Sequence, residues 1–191
     1  MSCNSRCAVP DRVRRRLLLG ALAVPLAWAQ AAPPGEAPVE VVAELPGARL
    51  QGQGRMRFFG LHIYDALLWT AAPIAPADVE CSALALELRY ARALKGPLIA
   101  ERSIEEMRRQ ADIAPADAER WLGAMTQLFP DVGAGDRITG VQRPGQGARF
   151  HVNGKFAGEV RDAVFARLFF GIWLSPRTSE PKLRAALLGL A

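Results

Sequence analysis

FHVNGKFAGEVRDAVFARLFFGIWLSP, residues 150–176, is the stretch from which the fold can be read. Asn153-Gly154 lies between two short runs of strand-forming residues, and this dipeptide accepts the positive φ angles of a tight hairpin turn. Beyond the hairpin the period changes. Val164, Phe165, Leu168, Phe169, Ile172 and Trp173 recur as one wide stripe of a helix. Such a face has to be buried, and a sheet built on the hairpin is the surface available to bury it. Phe170 stands off the centre of the stripe beside Gly171, where a missing side chain leaves room for a groove. The stripe therefore reads first as helix–sheet core and second as the wall of an apolar site.

Working outward, residues 39–45 (VEVVAEL) read as a strand, followed by ARLQGQGRMRFFG (48–60) and LHIYDALLWTA (61–71). The last is apolar on both faces, as expected of a strand central in a sheet. In residues 83–90, Leu84, Leu86, Leu88 and Tyr90 point one way and Glu87 and Arg89 the other, which predicts a half-buried strand. Gly96-Pro97 opens a helix whose inner face carries Ala100, Ile104, Met107 and Ala111, with Glu105 and Arg109 paired outside. Pro115 starts a second helix with the stripe Ala118, Trp121, Leu122, Met125, Leu128 and Phe129. Strands return at DRITGVQ (136–142), and a last helix starts near Ser179 with Gly189 as its stop. Strands, two helices, strands, two helices: the expected class is α+β, with helices layered on one face of a mainly antiparallel sheet.

The N-terminus has a different character. Arg12, Arg14, Arg15 and Arg16 precede the apolar run LLLGALAVPLA (17–27), and Ala27-Trp28-Ala29 presents small residues at a cleavage position. The pattern predicts a signal peptide over 1–29, cut before Gln30, by Sec or twin-arginine export, and hence a periplasmic protein. The apolar run is too short to span a bilayer. Residues 30–38 read as a flexible Pro-rich lead-in and 39–191 as one domain. The chain carries 24 Lys+Arg against 19 Asp+Glu, a formal net charge of +5. Five of those arginines and one aspartate belong to the leader, so the remainder is near neutrality, at +1, and offers no nucleic-acid footprint. Cys3 and Cys7 also fall in the leader, which leaves Cys81 alone, without an internal disulfide partner. No cysteine follows the apolar run at a lipidation position, so a soluble protein is expected, with no integral membrane segment after cleavage.

GQGRMRFFGLHIYDALLW (52–69), LELRYARALKGPLIAERSIEEMRR (86–109) and the stretch from Phe150 to Gly189 resemble, in order, bacterial chalcone isomerase-like proteins. The resemblance implies the chalcone isomerase-like fold, an open-faced β-sandwich with an apolar cleft between sheet and helices. In plant chalcone isomerases it implies an arginine for the ketone-side charge, with a tyrosine, an asparagine and two threonine or serine groups. Here those donors fall at Pro97 or Leu98, at Ile104 or Glu105, near Phe59 and at Leu168, none of which keeps the polar group. Arg49, Arg55 and Arg57 surround the place of the arginine, while Met56 stands where some relatives carry it. Each lost oxyanion donor removes on the order of 3 kcal/mol of transition-state stabilisation, so chalcone isomerisation is not expected.

Other chemistry is thin. His62 and His151 are far apart in sequence and form no metal spacing with Cys81, and each is expected at a surface or edge. Cys81 reads as a small hydrophobe opening a strand. Ser103 lies inside a helix without a nucleophile elbow, and Gly52-Gln53-Gly54 reads as strain relief or a bulge in a strand. No cofactor is expected. The reading that remains is a non-catalytic protein that binds a small apolar or amphipathic molecule, fatty-acid-like, in the cleft. One arginine among Arg49, Arg55, Arg57 and Arg89 would hold its head, with Tyr64, Trp69, Leu168, Phe169 and Trp173 as walls. The alternatives are an isomerase or lyase acting on an enone, and an envelope protein-interaction module whose exposed helix patch meets a partner.

Overall fold

The computed structural model describes residues 36–190; the expected signal peptide and most of the lead-in lie outside them. A six-stranded sheet in the order β1-β2-β3-β4-β5-β6 forms the frame, every neighbouring pair antiparallel. The strands are β1 (Arg49–Phe58), β2 (Leu61–Thr70), β3 (Leu84–Tyr90), β4 (Arg137–Arg143), β5 (Gly147–Val152) and β6 (Lys155–Val160). The helices are α1 (Val39–Glu44), α2 (Gly96–Arg108), α3 (Pro115–Leu128), α4 (Ala163–Leu174) and α5 (Pro181–Leu187). The expected α+β class and the helix layer are both present.

Strand alternation divides the apolar residues between two faces. Ala66, Leu68, Leu84, Leu86, Leu88, Tyr90, Ile138 and Phe150 join the cluster under α2 to α5. Leu67, Trp69, Ala85 and Val141 face the other way and pack with Val41 of α1. The hairpin between β5 and β6 turns at Asn153 (φ 49°) and Gly154 (φ 82°), as its dipeptide predicted. Gly52 and Gly54 lie where α5 crosses β1. A Cβ on Gly52 would sit 2.2 Å from the Ala186 carbonyl oxygen and 2.3 Å from that of Leu187. A register shift between Leu50 and Gly52 marks the expected irregularity.

Several expectations need correction. Val39–Glu44 is helical rather than extended, with Leu45 as its C-cap: Glu40 and Glu44, and likewise Val41 and Leu45, fall four apart and turn towards the second sheet face. Residues 84–88 are buried on both faces, because α1 and its ion pairs cover the side carrying Glu87. Cys81 is exposed in a 3-10 turn (Val79–Cys81). His151 is buried, with Nε2 3.3 Å from Glu44 Oε1. Glu105 pairs with Arg102 instead of Arg109, which approaches Glu106. The groove expected beside Gly171 is filled by the Gln110 side chain, and a Cβ there would lie 1.9 Å from Gln110 Oε1. Phe170 is fully buried against Gly140.

The second face is polar at its centre. Arg137 donates to Glu40 from Nε (2.9 Å) and Nη2 (3.1 Å), and Thr139 Oγ1 adds a third bond at 3.2 Å. Arg143 Nη2 donates to Glu44 at 2.6 Å, and Arg149 Nε lies 3.1 Å from the same carboxylate. Glu87, wholly buried, accepts from Trp69 Nε1 at 3.0 Å and Arg89 Nε at 2.7 Å. Burial would raise the Glu40 carboxyl, but the bonds from Arg137 and Thr139 outweigh it and hold it below the ordinary 4.5.

Two outcomes follow from this packing. Gly52→Ala drives a methyl group into the α5 backbone and should cost about 1–3 kcal/mol in urea denaturation at neutral pH. Because Glu40 has a depressed folded pKa, its contribution is complete above pH 4.5 and is lost as pH falls through the lower folded value. Glu40→Gln should therefore lose about 1–3 kcal/mol at neutral pH and show a shallower acid dependence of the denaturation midpoint. Midpoints measured from pH 7 to pH 3 check both effects.

Candidate ligand-binding cleft

The cleft opens between the β1–β2 end of the sheet and the helices α2 and α4, with a volume of about 310 Å³. That lies at the lower end of the range for small-molecule sites. Met56 and Phe58 come from β1, Ile63 and Tyr64 from β2, Leu88 and Tyr90 from β3. Phe169, Ile172 and Trp173 of α4 form the facing wall, and α2 contributes Leu98, Ile99, Arg102, Ser103 and Glu106. The sheet side follows from alternation. Met56 pairs with Tyr64 and Tyr64 with Tyr90, so three neighbouring strands present these side chains on the helix-covered face.

Two phenols supply the polarity of the sheet side. Trp173 Nε1 donates to Tyr64 Oη at 2.9 Å, and the Tyr64 and Tyr90 rings meet edge to face with centroids 5.9 Å apart. Burial pushes the Tyr64 hydroxyl up to about 12, with the Trp173 bond pulling the other way. Burial raises Tyr90 as well, reinforced by Tyr64. Both groups remain protonated at neutral pH and are donors. The Tyr90 hydroxyl has no hydrogen-bond partner among the described residues, so its proton is available to a ligand.

The α2 side carries the charge. Arg102 Nη1 donates to Glu105 at 3.0 Å and Nη2 to Glu106 at 2.5 Å. Glu106 is 7 % exposed, whereas the Arg102 side chain is 60 % exposed, so the guanidinium stands nearer the water. Ser103 Oγ donates back to the Ile99 carbonyl at 2.8 Å and keeps lone pairs for a ligand donor. The arrangement suits an apolar body with a hydrogen-bond acceptor near Tyr90 and a polar group near Arg102.

Of the wall residues expected from sequence, Tyr64, Phe169 and Trp173 come together in the cleft. Leu168 does not line it; it is buried in the core, and its carbonyl accepts from Gln110 Nε2 at 2.7 Å. Trp69 faces the opposite side of the sheet, bonded to Glu87. None of the four nominated arginines lines the cleft. Arg49 is exposed at the start of β1, and Arg55 is exposed and bonded to Asp65 at 2.8 Å. Arg57 is exposed and donates to the Gly60 carbonyl at 3.3 Å, and Arg89 pairs with Glu87 on the second face. The reason is alternation: Met56 takes the inward position, and Arg55 is the residue before it.

The arginine that does line the cleft, Arg102, looks in sequence like half of a solvated i,i+4 pair with Glu106. Its place four residues after Leu98 and three after Ile99, at the edge of the inner stripe, is the signal that marks it. Tyr90 was legible as a face-mate of Leu84, Leu86 and Leu88. Among the described residues no group of three His, Cys, Asp or Glu is placed to hold a metal ion. No described helix is long and apolar enough to cross a membrane.

Residues 42–189 match the family described as chalcone isomerase-like. An uncharacterized protein of Haemophilus influenzae is 31 % identical over 106 residues, 56 % of this chain and 52 % of that one. The match thus spans about half the length of this relative. Among solved structures, a fatty-acid binding protein of Arabidopsis thaliana superposes with a TM-score of 0.58 at 15 % identity. The superposition covers 75 % of this chain and 87 % of the plant protein, a likeness of fold. With the family match running from α1 to the end of α5 without a break, the chain belongs to the chalcone isomerase-like family.

Proposed function

We propose that this protein is an exported, non-catalytic carrier that holds a small amphipathic molecule, fatty-acid-like, in the cleft between the sheet and α2 and α4. The observation that carries the proposal is the cleft itself: about 310 Å³, walled by Phe58, Ile63, Leu98, Ile172 and Trp173 and furnished with few polar groups. The fold likeness to a fatty-acid binding protein supports the same reading. An acidic head at Arg102 has to exchange with the Glu105 or Glu106 carboxylate, which favours a loosely held, releasable ligand. The loss of the plant enzymes' hydroxyl and amide donors at the corresponding positions supports a binding role over catalysis. The basic-then-apolar leader with Ala27-Trp28-Ala29 supports export to the periplasm.

One observation favours an enzyme instead. The Tyr90 hydroxyl, without a partner among the described residues, and the Tyr64 hydroxyl beside it form a donor pair of the kind that could polarise an enone carbonyl. Arg55 and Arg57, the arginines first expected to serve such a reaction, lie outside the cleft. Steady-state turnover of chalcones or other enones, abolished by Tyr90→Phe, would establish that reading. An exposed Trp173 would have favoured the interaction-module reading; Trp173 is buried in the cleft wall and lends it no weight.

The carrier is tested by native mass spectrometry after mild purification from the envelope, together with titration of a fluorescent fatty-acid probe. A co-purified apolar ligand and saturable probe binding are expected; absence of both would overturn the proposal. Ile172→Trp fills the cleft and should weaken the probe at least tenfold, about 1.4 kcal/mol, with little change in melting temperature. Arg102→Gln should weaken the acid about tenfold and leave its methyl ester unaffected, as measured by competition against the same probe.

A further inference from the structure

We propose that the tip of the β1–β2 hairpin docks the protein on an anionic phospholipid bilayer, with Phe59 and Leu61 as apolar anchors and Arg57 and Arg92 meeting the headgroups. The loading of the cleft from that bilayer rests on the carrier reading above; the docking does not. Phe59 is 90 % exposed, Phe58 and Leu61 each 53 %, and Leu98 across the cleft 59 %. Phe58 and Leu98 also line the cleft, so the exposed apolar collar and the cleft interior form one continuous surface.

The turn chemistry shows that folding does not ask for this collar. Phe59 (φ 48°) and Gly60 (φ 79°) both take left-handed backbone conformations, as Asn153 (φ 49°) and Gly154 (φ 82°) do in the other hairpin. There the residue is Asn, which tolerates the conformation; here it is Phe, which does not gain burial in exchange. The Phe58 and Phe59 rings support each other edge to face, centroids 4.5 Å apart. An aromatic ring held in a disfavoured conformation and in water is a group presented to a partner.

Charge and size select a lipid surface. Arg57 donates only to the Gly60 carbonyl, and neither it nor Arg92 has a carboxylate partner among the described residues. Ala91 N donates to the Ile63 carbonyl, which brings Arg92 beside the start of β2. Asp65 is held by Arg55, and Glu105 and Glu106 of the cleft wall by Arg102, so the arginines left without a carboxylate, Arg57 and Arg92, are those on the hairpin side of this end. Phe and Leu flanked by Arg is the composition of an interfacial anchor, the basic groups adding electrostatic attraction to an anionic leaflet. Four exposed side chains fall well short of the roughly 800 Å² per partner of a stable protein interface.

The experiment is co-sedimentation of the protein, in the form cells accumulate, with phosphatidylglycerol–phosphatidylcholine vesicles and with phosphatidylcholine alone. The parent should pellet with the anionic vesicles, and at least tenfold less with the neutral ones or in high salt. Phe59→Asn combined with Leu61→Ser should lose at least tenfold of that binding. The double variant should melt no lower than the parent, since Asn suits the turn, and should bind the fluorescent fatty-acid probe in vesicle-free buffer as the parent does. A double variant that pellets like the parent, or a parent that ignores anionic vesicles, overturns the proposal. A dimer in sedimentation velocity that Phe59→Asn abolishes, without vesicle binding, assigns the tip to a second copy and overturns it too. A parent that pellets but binds no probe supports the docking and removes the carrier reading.

Discussion

Phe169 of α4 meets Phe150 of β5 edge to face at 5.1 Å, lies 6.1 Å from Phe129 after α3, and touches Trp173 at 5.5 Å. Phe165, one turn earlier, stacks on Phe169 at 5.4 Å and on the other side meets Trp121 of α3. These contacts lock α3 and α4 to the sheet by the burial of large rings, the most favourable apolar packing a chain can offer. They also set where the cleft begins. On the sheet-ward side of Phe169 the rings are packed and water is excluded; on the Trp173 side the same helix face becomes a cavity wall. Core and site are two ends of one stripe.

The sheet separates two kinds of chemistry. Its helix-covered face is apolar apart from the phenols of Tyr64 and Tyr90 and the buried Gln142 and Thr70. Its second face gathers Glu40, Glu44, Glu87, Arg89, Arg137, Arg143 and Arg149 beneath and around the short helix α1. Buried carboxylates of this kind persist only with several donors each, and every one here has at least two basic or hydroxyl groups at hand. The result removes most strand arginines from the ligand problem. Their guanidinium groups are already satisfied on the far side or in water, and the cationic group at the cleft comes from helix α2 instead.

This division explains what could be read from the amino acids. The 164–173 stripe, the Asn153-Gly154 turn and the helices opened by Gly96-Pro97 and Pro115 each rest on local chemistry, and each is present. Residues 39–45 carry both a strand-like and a helical pattern, and only the presence of Arg137, Arg143 and Thr139 beneath them decides for the helix. The arginine assignment failed for a related reason. In a strand the face of a side chain changes with every residue, so locating the region of Arg55 to Arg57 does not locate a guanidinium. Trp69 failed in the same way, one residue out of phase with Leu68. On a helix the error is gentler: Leu168 and Phe169 share a stripe, yet only Phe169 reaches the cavity.

A cavity walled by apolar side chains tends to collapse unless its walls are held apart, and α2 shows how they are held. At its first residue Gly96 N donates to Asp131 Oδ1 at 3.0 Å, while Lys95 Nζ pairs with the same carboxylate at 2.6 Å. Gly96 approaches the backbone after α3 so closely that a Cβ would lie 2.1 Å from the Phe129 carbonyl oxygen. Beyond its last turn, Gln110 fills the notch at Gly171 and bonds Leu168, and Arg177 Nη1 donates to the Gln110 carbonyl at 2.6 Å. The helix is thus pinned at both ends by bonds that do not depend on its middle. Leu98, Ile99 and Arg102 bridge the gap between the pins without having to fill it. The cleft is therefore the span of a tethered helix, and a ligand that enters it gains apolar burial at little cost in rearrangement.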